Sequence, residues 1–266
     1  MRFTLLCVLL LAGPSALAVE APRNCPIPKA VTFQVDKEIR RDKVGFTEGL
    51  EVHDGLLYES TGDFFGESGI NRIDRNTGRV TTLRNAGKSY FGEGMTFFND
   101  RLYQMTWREH RVLVFDRNLK QIAEMKNPRE GWGLTHDATR LIASDGSSRL
   151  FFLSPRDFSL QSVLTVVQDG RFLSNINELE FINGAIWANV FEDWSLYRIS
   201  PVTGCVDAIA DLRPLRLRLS PADRRYIDSD QNFVPNGIAH DPATGQVIVT
   251  GKYWPMLFSG HFVEAP

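Results

Sequence analysis

The sequence predicts an all-β protein, and more specifically a five-bladed β-propeller. Similar phrases recur at intervals of about 40 to 50 residues, the length of one four-stranded propeller blade. After each phrase come short apolar runs separated by Gly, Asp or Asn, and no long segment has the 3.6-residue period of a helix. The phrases that open the repeats are FTEGLE from Phe46, FGEGMT from Phe91, WGLTHD from Trp132, NELEFI from Asn177 and NGIAHD from Asn236.

Closure of the ring is predicted from the first and last strand-like runs. The fifth repeat contains only three such runs, whereas the single strand AVTFQVDKEI, residues 30–39, precedes the first repeat. We expect this strand to complete the last blade, because that pairing leaves no open sheet edge. A β-sandwich of similar short strands is the alternative architecture.

The composition narrows the choice of partners. The chain has 266 residues, of which 43% are hydrophobic and 23% are charged, and its formal net charge is -2. A chain of this length can bury a large core in one or two domains. Because acidic and basic residues nearly balance, nothing indicates nucleic acid or a membrane surface as a partner. We expect a monomer.

The first residues, MRFTLLCVLLLAGPSALA, have the pattern of a secretory signal peptide. Arg2 precedes an apolar run that is too short to span a bilayer, and Ala16 and Ala18 provide the small residues of a cleavage site. Cleavage after Ala18 would leave residues 19–266 as one propeller domain, exported to a bacterial periplasm or secreted. An uncleaved anchor is the alternative.

The cysteines make one disulfide bond possible. Cys7 lies within the signal peptide, so Cys25 and Cys205 would remain in an oxidising compartment, where a disulfide can persist. Neither lies in a CxxC pattern, which gives little support for a metal site. In a propeller both would lie near the rims of neighbouring blades, which favours a disulfide bond without establishing it.

The repeats also predict a site at one mouth of the central channel. In each blade, the start of the first, innermost strand and the end of the second strand lie at this mouth. The first-strand residues are Phe46, Glu48, Phe91, Glu93, Trp132, Asn177, Glu178 and Asn236. The second-strand residues are Glu59, Trp107, Phe191 and Lys252. Aromatic walls with a few carboxylates, amides and one lysine are typical of a small-molecule or chain-end site. Alternatively, the aromatics are ordinary core and the polar groups cap loops.

Other kinds of site have less support. The five histidines show no HxxxH or HxH spacing, which argues against a catalytic metal held by histidines. The chain has no GxSxG phrase and no GxGxxG phrase between a strand and a helix. What remains is acid/base chemistry by carboxylates and hydrogen bonding by amides and lysine, within aromatic walls.

Several long phrases resemble, in order, the plant-type and bacterial glutaminyl cyclases, which are glutaminyl-peptide cyclotransferases of the five-bladed propeller class. Among them are GESGINRID, GWGLTHD, NELEFINGAIWANVF and NGIAHDPATGQVIVTGKYWPMLF. The similarity extends from about Phe33 to Phe262. It implies conversion of the N-terminal glutamine of a peptide or protein to pyroglutamate with release of ammonia, without a catalytic metal or other cofactor.

The resemblance also implies roles for individual residues. The acid/base glutamate of the family corresponds to Glu93, its amide to Asn177 and its lysine to Lys252. The pocket aromatics correspond to Phe46, Phe91, Trp107 and Trp132. Two pocket positions differ from the plant members, because Glu48 stands where they carry glutamine and Phe191 stands where they carry tryptophan.

Two other functions fit the same fold. A calcium-dependent, lactonase-like propeller enzyme would hold calcium through carboxylates at the channel and would be sensitive to a chelator. A non-catalytic propeller that binds peptides would show affinity without release of ammonia.

An insert, RPLRLRLSPADRRYIDSDQNF at residues 213–233, lengthens the interval between the fourth and fifth repeats. Because it joins an outer strand to the next inner strand, we expect it on the same face as the site. Its five arginines either border the mouth and favour peptides with acidic residues after the glutamine, or belong to a solvated helical turn. Long loops are often no more than tolerated insertions.

Overall fold

A computed structural model describes residues 24–63, 66 and 68–264, and over these ranges the chain consists mainly of β-strands. The signal peptide expected over residues 1–18, together with Cys7, lies outside the described residues. Within the described ranges, no helix is long and apolar enough to cross a membrane. The all-β class predicted from the alternating runs is confirmed.

The strands follow one another as antiparallel meanders after a first strand, β1, at Lys29–Arg40. The first sheet contains β2 (Thr47–His53), β3 (Leu56–Thr61), β4 (Ser68–Ile73) and β5 (Val80–Gly87). The second contains β6 (Gly92–Phe98), β7 (Arg101–Thr106), β8 (Arg111–Phe115) and β9 (Gln121–Lys126). The third contains β10 (Leu134–His136), β11 (Leu141–Ala143), β12 (Arg149–Leu153) and β13 (Leu160–Thr165).

The remaining strands form a hairpin and one larger sheet. The hairpin pairs β14 (Val167–Gln168) with β15 (Arg171–Phe172). The fourth group contains β16 (Ile176–Ile182), β17 (Ala185–Val190), β18 (Ser195–Ile199) and β19 (Val206–Asp211). Two short helices follow in this described stretch, α1 (Arg213–Arg218) and α2 (Pro221–Ile227). The fifth group contains β20 (Pro235–His240), β21 (Val247–Gly251) and β22 (Met256–Glu264).

Strand β1 joins the fourth and fifth groups into one sheet with the order β16-β17-β18-β19-β1-β22-β21-β20. Its antiparallel pairing with β22 is the one that the sequence predicts for the single N-terminal strand. A short parallel pairing of Lys29, Ala30 and Val31 with β19 was not predicted. By pairing on both sides, β1 covers the open edge of each neighbouring group.

The first strands of the groups contact one another in a cycle. Strand β2 contacts β6 and β20, β10 contacts β6 and β16, and β16 also contacts β20. These strands are buried along nearly their whole length, whereas the fourth strands β5 and β9 are largely exposed. The described sheets therefore surround a centre and do not form the two facing layers that the sandwich alternative requires.

Glycines that follow the two repeated acids allow the first strands to approach closely. A Cβ atom at Gly49 would lie 2.8 Å from the backbone nitrogen of Met95 in β6. A Cβ atom at Gly94 would lie 2.4 Å from the backbone nitrogen of Leu134 in β10. Real Cβ contacts are not this short, so only glycine lets neighbouring first strands pack backbone to backbone.

Apolar side chains fill the spaces between neighbouring groups. Between the second and third sheets, for example, Met105 and Val112 pack with Leu141 and Phe151. A similar cluster lies between the first and second sheets. Another lies between the third sheet and the fourth group. Others join the fourth group to the fifth and the fifth to the first sheet. Burial of this apolar surface is the main force that holds the sheets around the centre.

A disulfide bond joins Cys25 to Cys205 across a sequence separation of 180 residues. Cys25 precedes β1, and Cys205 immediately precedes β19. The bond therefore links the same two segments that the short parallel pairing brings together, as the positions near neighbouring rims suggested.

Candidate active site

Nine of the twelve side chains that the sequence places at the mouth surround one cavity of about 250 Å³. They are Phe46, Glu48, Phe91, Glu93, Trp107, Trp132, Asn177, Phe191 and Lys252. Asn232, from the insert, also lines this cavity and was not predicted. A larger cavity of about 640 Å³ lies beside β4 and contains none of the predicted site residues.

Irregular pairing at the start of the first strands positions the polar side chains. The ladder between first and second strands shifts register across Glu48 in β2, across Glu93 in β6 and across Asn177 in β16. Such bulges commonly occur beside active sites, because they redirect a side chain away from the regular alternation of a strand. The repeated phrases thus place three polar groups at equivalent points around the channel.

Residues that directly follow the second strands complete the wall. Trp107 follows β7, Phe191 follows β17 and Lys252 follows β21. The sequence also placed Glu59 in this set, and that expectation was wrong. Glu59 lies inside β3, fully buried, where both of its carboxylate oxygens accept hydrogen bonds at 2.7 Å from the Arg41 guanidinium.

Exposure divides the pocket into a polar base and an aromatic wall. The base residues are almost inaccessible, with exposed fractions of 2% for Glu48, 5% for Glu93, 2% for Asn177 and 5% for Lys252. The half-buried residues of the wall are Phe46, Trp107, Trp132, Phe191 and Asn232. A substrate must therefore pass the aromatic rings to reach the charged groups.

The aromatic rings contact one another edge to face or at a tilt. Ring centroids are 6.1 Å apart for Phe46 and Phe91, 5.5 Å for Phe91 and Trp107, and 6.0 Å for Trp132 and Phe191. These distances are within the range in which aromatic pairs attract each other. These contacts favour the arrangement of the rings that forms the wall.

Glycines leave the space that two of these rings occupy. A Cβ atom at Gly62 would lie 1.9 Å from a ring carbon of Phe91, and one at Gly146 would lie 2.7 Å from a ring carbon of Trp132. Gly62 directly follows β3, the place that pocket residues occupy after other second strands. In the first sheet this place is left without a side chain, and the Phe91 ring fills it.

Trp107 is fixed on the outer side of the pocket. Its indole Nε1 donates a hydrogen bond to Oε2 of Glu130 at 3.0 Å. The Arg108 guanidinium lies 3.9 Å from a ring centroid of Trp107 and donates to the other oxygen of Glu130 at 3.1 Å. A single carboxylate thus holds both the indole and the cation that stacks on it.

The base of the pocket contains a buried ion pair. Lys252 Nζ donates to Oε1 of Glu48 at 2.7 Å, and Asn236 Nδ2 donates to Oε2 of Glu48 at 3.1 Å. Burial raises the pKa of Glu48, while the positive charge of Lys252 and the two hydrogen bonds oppose that rise. Lys252 Nζ also lies 4.4 Å from the ring centroid of Phe46 and 5.3 Å from that of Phe191.

Glu93 is the second carboxyl of the base. Burial raises the pKa of Glu93 well above its usual range, and the negative charge of Glu48 raises it further, whereas Lys252 lowers it. Among the described residues, none forms a hydrogen bond with the Glu93 carboxyl group. Glu93 therefore combines a raised proton affinity with oxygens that are free to meet a ligand.

Two further polar atoms of the pocket residues have no hydrogen-bond partner among the described residues. They are the side-chain oxygen of Asn177 and the indole nitrogen of Trp132, and both atoms are buried. Buried polar atoms are nearly always paired in folded proteins. An unpaired acceptor and an unpaired donor beside a cavity are therefore candidates for hydrogen bonds with a ligand.

Two more residues expected at the mouth have other roles. Asn236 supports Glu48 and also donates to the backbone oxygen of Thr47 at 2.8 Å. Glu178 accepts hydrogen bonds from the backbone nitrogens of Leu50 at 3.2 Å and Ile238 at 2.8 Å. It thereby links β16 to β2 and β20 inside the channel, outside the pocket wall.

Further buried carboxyls in the channel were not predicted from the sequence. Glu180 accepts from the backbone nitrogen of His240 at 2.8 Å, and Glu51 accepts from that of Phe97 at 2.9 Å. Burial raises the pKa of Glu180 to about 8 and that of Glu51 well above its usual range. The alternation Glu178, Leu179, Glu180 was the available signal, because residues two apart on a strand share a face.

Within the described residues, no group of three or more His, Cys, Asp or Glu side chains has the arrangement of a metal site. Glu178 and Glu180 instead accept hydrogen bonds from backbone amides, and Glu48 is paired with the buried Lys252.

Known proteins resemble this chain over most of its length. A sequence model of the glutamine cyclotransferase family matches residues 5–262. The glutaminyl-peptide cyclotransferase of Arabidopsis thaliana is 35% identical over 245 residues, which cover 87% of this chain and 75% of that protein. The crystal structure of Myxococcus xanthus glutaminyl cyclase is 29% identical, with a TM-score of 0.78, and covers 90% of this chain and 100% of that chain. The chain therefore belongs to the glutamine cyclotransferase family.

Proposed function

We propose that this protein is a glutaminyl-peptide cyclotransferase, which converts the N-terminal glutamine of a peptide or protein to pyroglutamate and releases ammonia. The observation that carries the proposal is the Glu93 carboxyl, buried at the base of an aromatic pocket beside the Glu48–Lys252 pair. Membership of the family and the similarity to two cyclases of this type support it.

The first task of such an enzyme is to fold the glutamine side chain back toward its own α-amine. Ring closure joins this amine to the side-chain carbonyl carbon, so the two must be held in contact. The rings of Phe91, Trp107 and Trp132 surround a cavity of about 250 Å³, which suits one residue in a compact rotamer. They do so without presenting a group that could react.

Protons must then move from the attacking to the departing nitrogen. The α-amine enters mainly as an ammonium, since its pKa is about 8, and it loses two protons in forming the lactam. The departing nitrogen gains one proton to leave as ammonia and a second as ammonium. Glu93 accepts a proton from the α-nitrogen and delivers one to the departing nitrogen, and its raised pKa brings the two transfers close in energy.

Charge develops on the side-chain oxygen of the glutamine as the amine attacks its carbonyl carbon. The Lys252 ammonium, held by Glu48 at 2.7 Å, is the cation of the pocket base that stabilises this oxyanion. The unpaired oxygen of Asn177 accepts a hydrogen bond from the ammonium or the carboxamide NH₂ group of the substrate. Removing one such contact from an enzyme typically costs about 3 kcal/mol in the transition state.

We also propose the finer architecture and location. The four-stranded groups and the cyclic contacts of their first strands support a five-bladed propeller in which β1 completes the fifth blade. Residues 19–266 form this catalytic domain, and the protein acts as a monomer without a metal. The signal peptide expected over residues 1–18 directs it to a periplasm or out of the cell.

The test is release of ammonia from the dipeptide Gln-Gln by the purified protein, with the product identified as a lactam by mass spectrometry. An Asn-Gln dipeptide is the matched control, because the α-amine of asparagine could close only a strained four-membered ring on its own side chain. Ammonia from Gln-Gln alone is the expected result. No ammonia from either peptide would contradict the proposal and would leave the lactonase-like enzyme and the peptide-binding propeller.

A further inference from the structure

We infer that Asn232 binds the peptide unit that joins the N-terminal glutamine to the second residue of the substrate. This inference rests on the proposed function and extends the site to the insert, residues 213–233. Among the described residues that line the pocket, Asn232 alone comes from the insert.

The insert is a docked structure. Leu215, Leu219 and Ile227 are buried in the apolar cluster between the fourth and fifth groups. Arg40 donates to both carboxylate oxygens of Asp223, at 2.9 and 3.0 Å. Helices α1 and α2 are therefore anchored by apolar burial and by a bidentate ion pair, so the segment that follows them starts from a fixed position.

The segment that carries Asn232 is held on both sides. The backbone nitrogen and the side-chain Nδ2 of Asn232 both donate to one oxygen of Asp230, each at 2.9 Å. The next residue is Phe233, whose backbone oxygen accepts a hydrogen bond from Trp254 Nε1 at 2.9 Å. The ring centroid of Phe233 is 5.0 Å from that of Tyr253. The Asn232 amide consequently has a defined place on the pocket wall.

The chemistry of the substrate identifies what this amide would bind. The charged groups of the base contact the reacting amine and carboxamide. The rest of the bound peptide must therefore extend out of the pocket along the half-buried wall. The first peptide unit then loses water, and each of its polar groups that finds no partner weakens binding. Asn232 offers Oδ1 as an acceptor for the N–H of that unit, while its Nδ2 is held by Asp230.

Three of the five arginines of the insert are poor candidates for the same contact. Arg213 pairs with Asp211, Arg216 with Asp228 and Arg218 with Glu38. Each of these three guanidinium groups is thus already paired with a carboxylate of the protein. A preference for acidic residues after the glutamine, which the sequence left open, has little support from these three side chains.

The inference is tested with two substrates that differ by one hydrogen-bond donor. One is a Gln-Ala peptide, and the other is the matching ester, in which oxygen replaces the N–H between the two residues. With the unmodified protein, we expect kcat/KM to be about 3- to 10-fold higher for the amide, as one hydrogen bond would give. Asn232→Ala should lose this preference, because kcat/KM should fall for the amide substrate and not for the ester. Asn232→Asp keeps an acceptor and should restore part of the preference.

Arg225→Ala, an exposed change in the same insert, is the matched control and should retain the preference for the amide. The inference is overturned if Asn232→Ala leaves both substrates unchanged, or slows both equally as a purely structural defect would. Failure of the proposed function is a different result, in which the unmodified protein releases ammonia from neither substrate.

Discussion

Lys252 and Glu48 form an ion pair at the base of the pocket, with 2.7 Å between Nζ and Oε1 and both side chains buried. Asn236 donates to the other oxygen of Glu48, so both oxygens of this carboxylate already accept a hydrogen bond, whereas Glu93 has no such partner among the described residues. The position of Glu48 suggests two effects, to hold the Lys252 ammonium and to raise the proton affinity of Glu93. The two repeated acids would therefore have different tasks.

We predict that Glu48→Gln shifts the pH dependence of the reaction. The negative charge of Glu48 raises the pKa of Glu93, so removing it lowers that pKa. Ionised Glu93 is then available at lower pH, and the acidic limb of the kcat/KM profile moves to lower pH. Glu180→Gln, which changes a carboxyl elsewhere in the channel, is the control. An acidic limb that stays in place or moves to higher pH contradicts this assignment.

We predict that Glu93→Gln abolishes most of the turnover while the protein stays folded. Glutamine has nearly the same shape but cannot carry the proton, and loss of a general acid/base typically slows a reaction about 10²- to 10⁴-fold. Ammonia release on Gln-Gln measures the loss, and thermal unfolding checks the fold. Glu51→Gln is the matched control, since Glu51 is also buried but lies outside the pocket. Near-normal kcat/KM for Glu93→Gln would show that Glu93 does not carry the proton between the two nitrogens.

We predict that the protein loses stability as the pH rises through the neutral range. Glu51, Glu178 and Glu180 have raised pKa values in the folded chain, so the folded state binds more protons than the unfolded state. Their contribution is complete below the unfolded pKa of about 4.3. It is lost as the pH rises toward the folded values, which for Glu180 is about 8.

Chemical unfolding at pH 5 and pH 9 measures this effect, with a slope of up to about 1.4 kcal/mol per pH unit for each group. Glu180→Gln should reduce the loss between the two pH values, and the exposed Glu124→Gln should not. Stability that rises over this interval would show that the channel carboxyls are ionised in the folded protein.

We predict that reduction of the Cys25–Cys205 bond lowers stability without changing the reaction. A bond across 180 residues restricts the unfolded chain, which is typically worth about 2–4 kcal/mol. For a domain of this size we expect the Tm to fall by about 5–10 °C. The double variant Cys25→Ser/Cys205→Ser should have the lower Tm with or without reductant. A fall in kcat/KM at 25 °C, well below the Tm, would instead link the bond to the pocket.

We predict that a strong chelator leaves ammonia release unchanged, because the proposed steps use only Glu93, Lys252 and Asn177. The assay compares untreated protein with protein dialysed against chelator, and with the latter after addition of calcium. Loss of activity that calcium restores would favour the lactonase-like alternative or a required structural ion.

The repeats predicted the pocket well where its residues follow the period of the fold. Glu48 and Glu93 could be placed together because equivalent residues of a repeat occupy equivalent points around a centre. The same reasoning failed for Glu59, because the equivalent of Trp107 in the first sheet is the residue directly after β3, Gly62. An error of a few residues along a strand was enough to move a side chain from the pocket to a buried ion pair.

Features that break the period could not be predicted in the same way. Asn232 belongs to an insert that has no counterpart in the other repeats, and its place depends on how α1 and α2 pack. The parallel pairing of β1 with β19 depends on contacts between residues about 180 apart in the sequence. Neither local propensity nor periodicity reports on such distant contacts.

Pairing of β1 with β22 has a consequence for the order of folding. The first described strand finds its long antiparallel partner only in the last one, more than 200 residues away, so we expect this pairing to form late. Contacts this distant in sequence slow folding. A chain shortened before Met256 would leave the edges of β1 and β21 unpaired, and such edges promote aggregation.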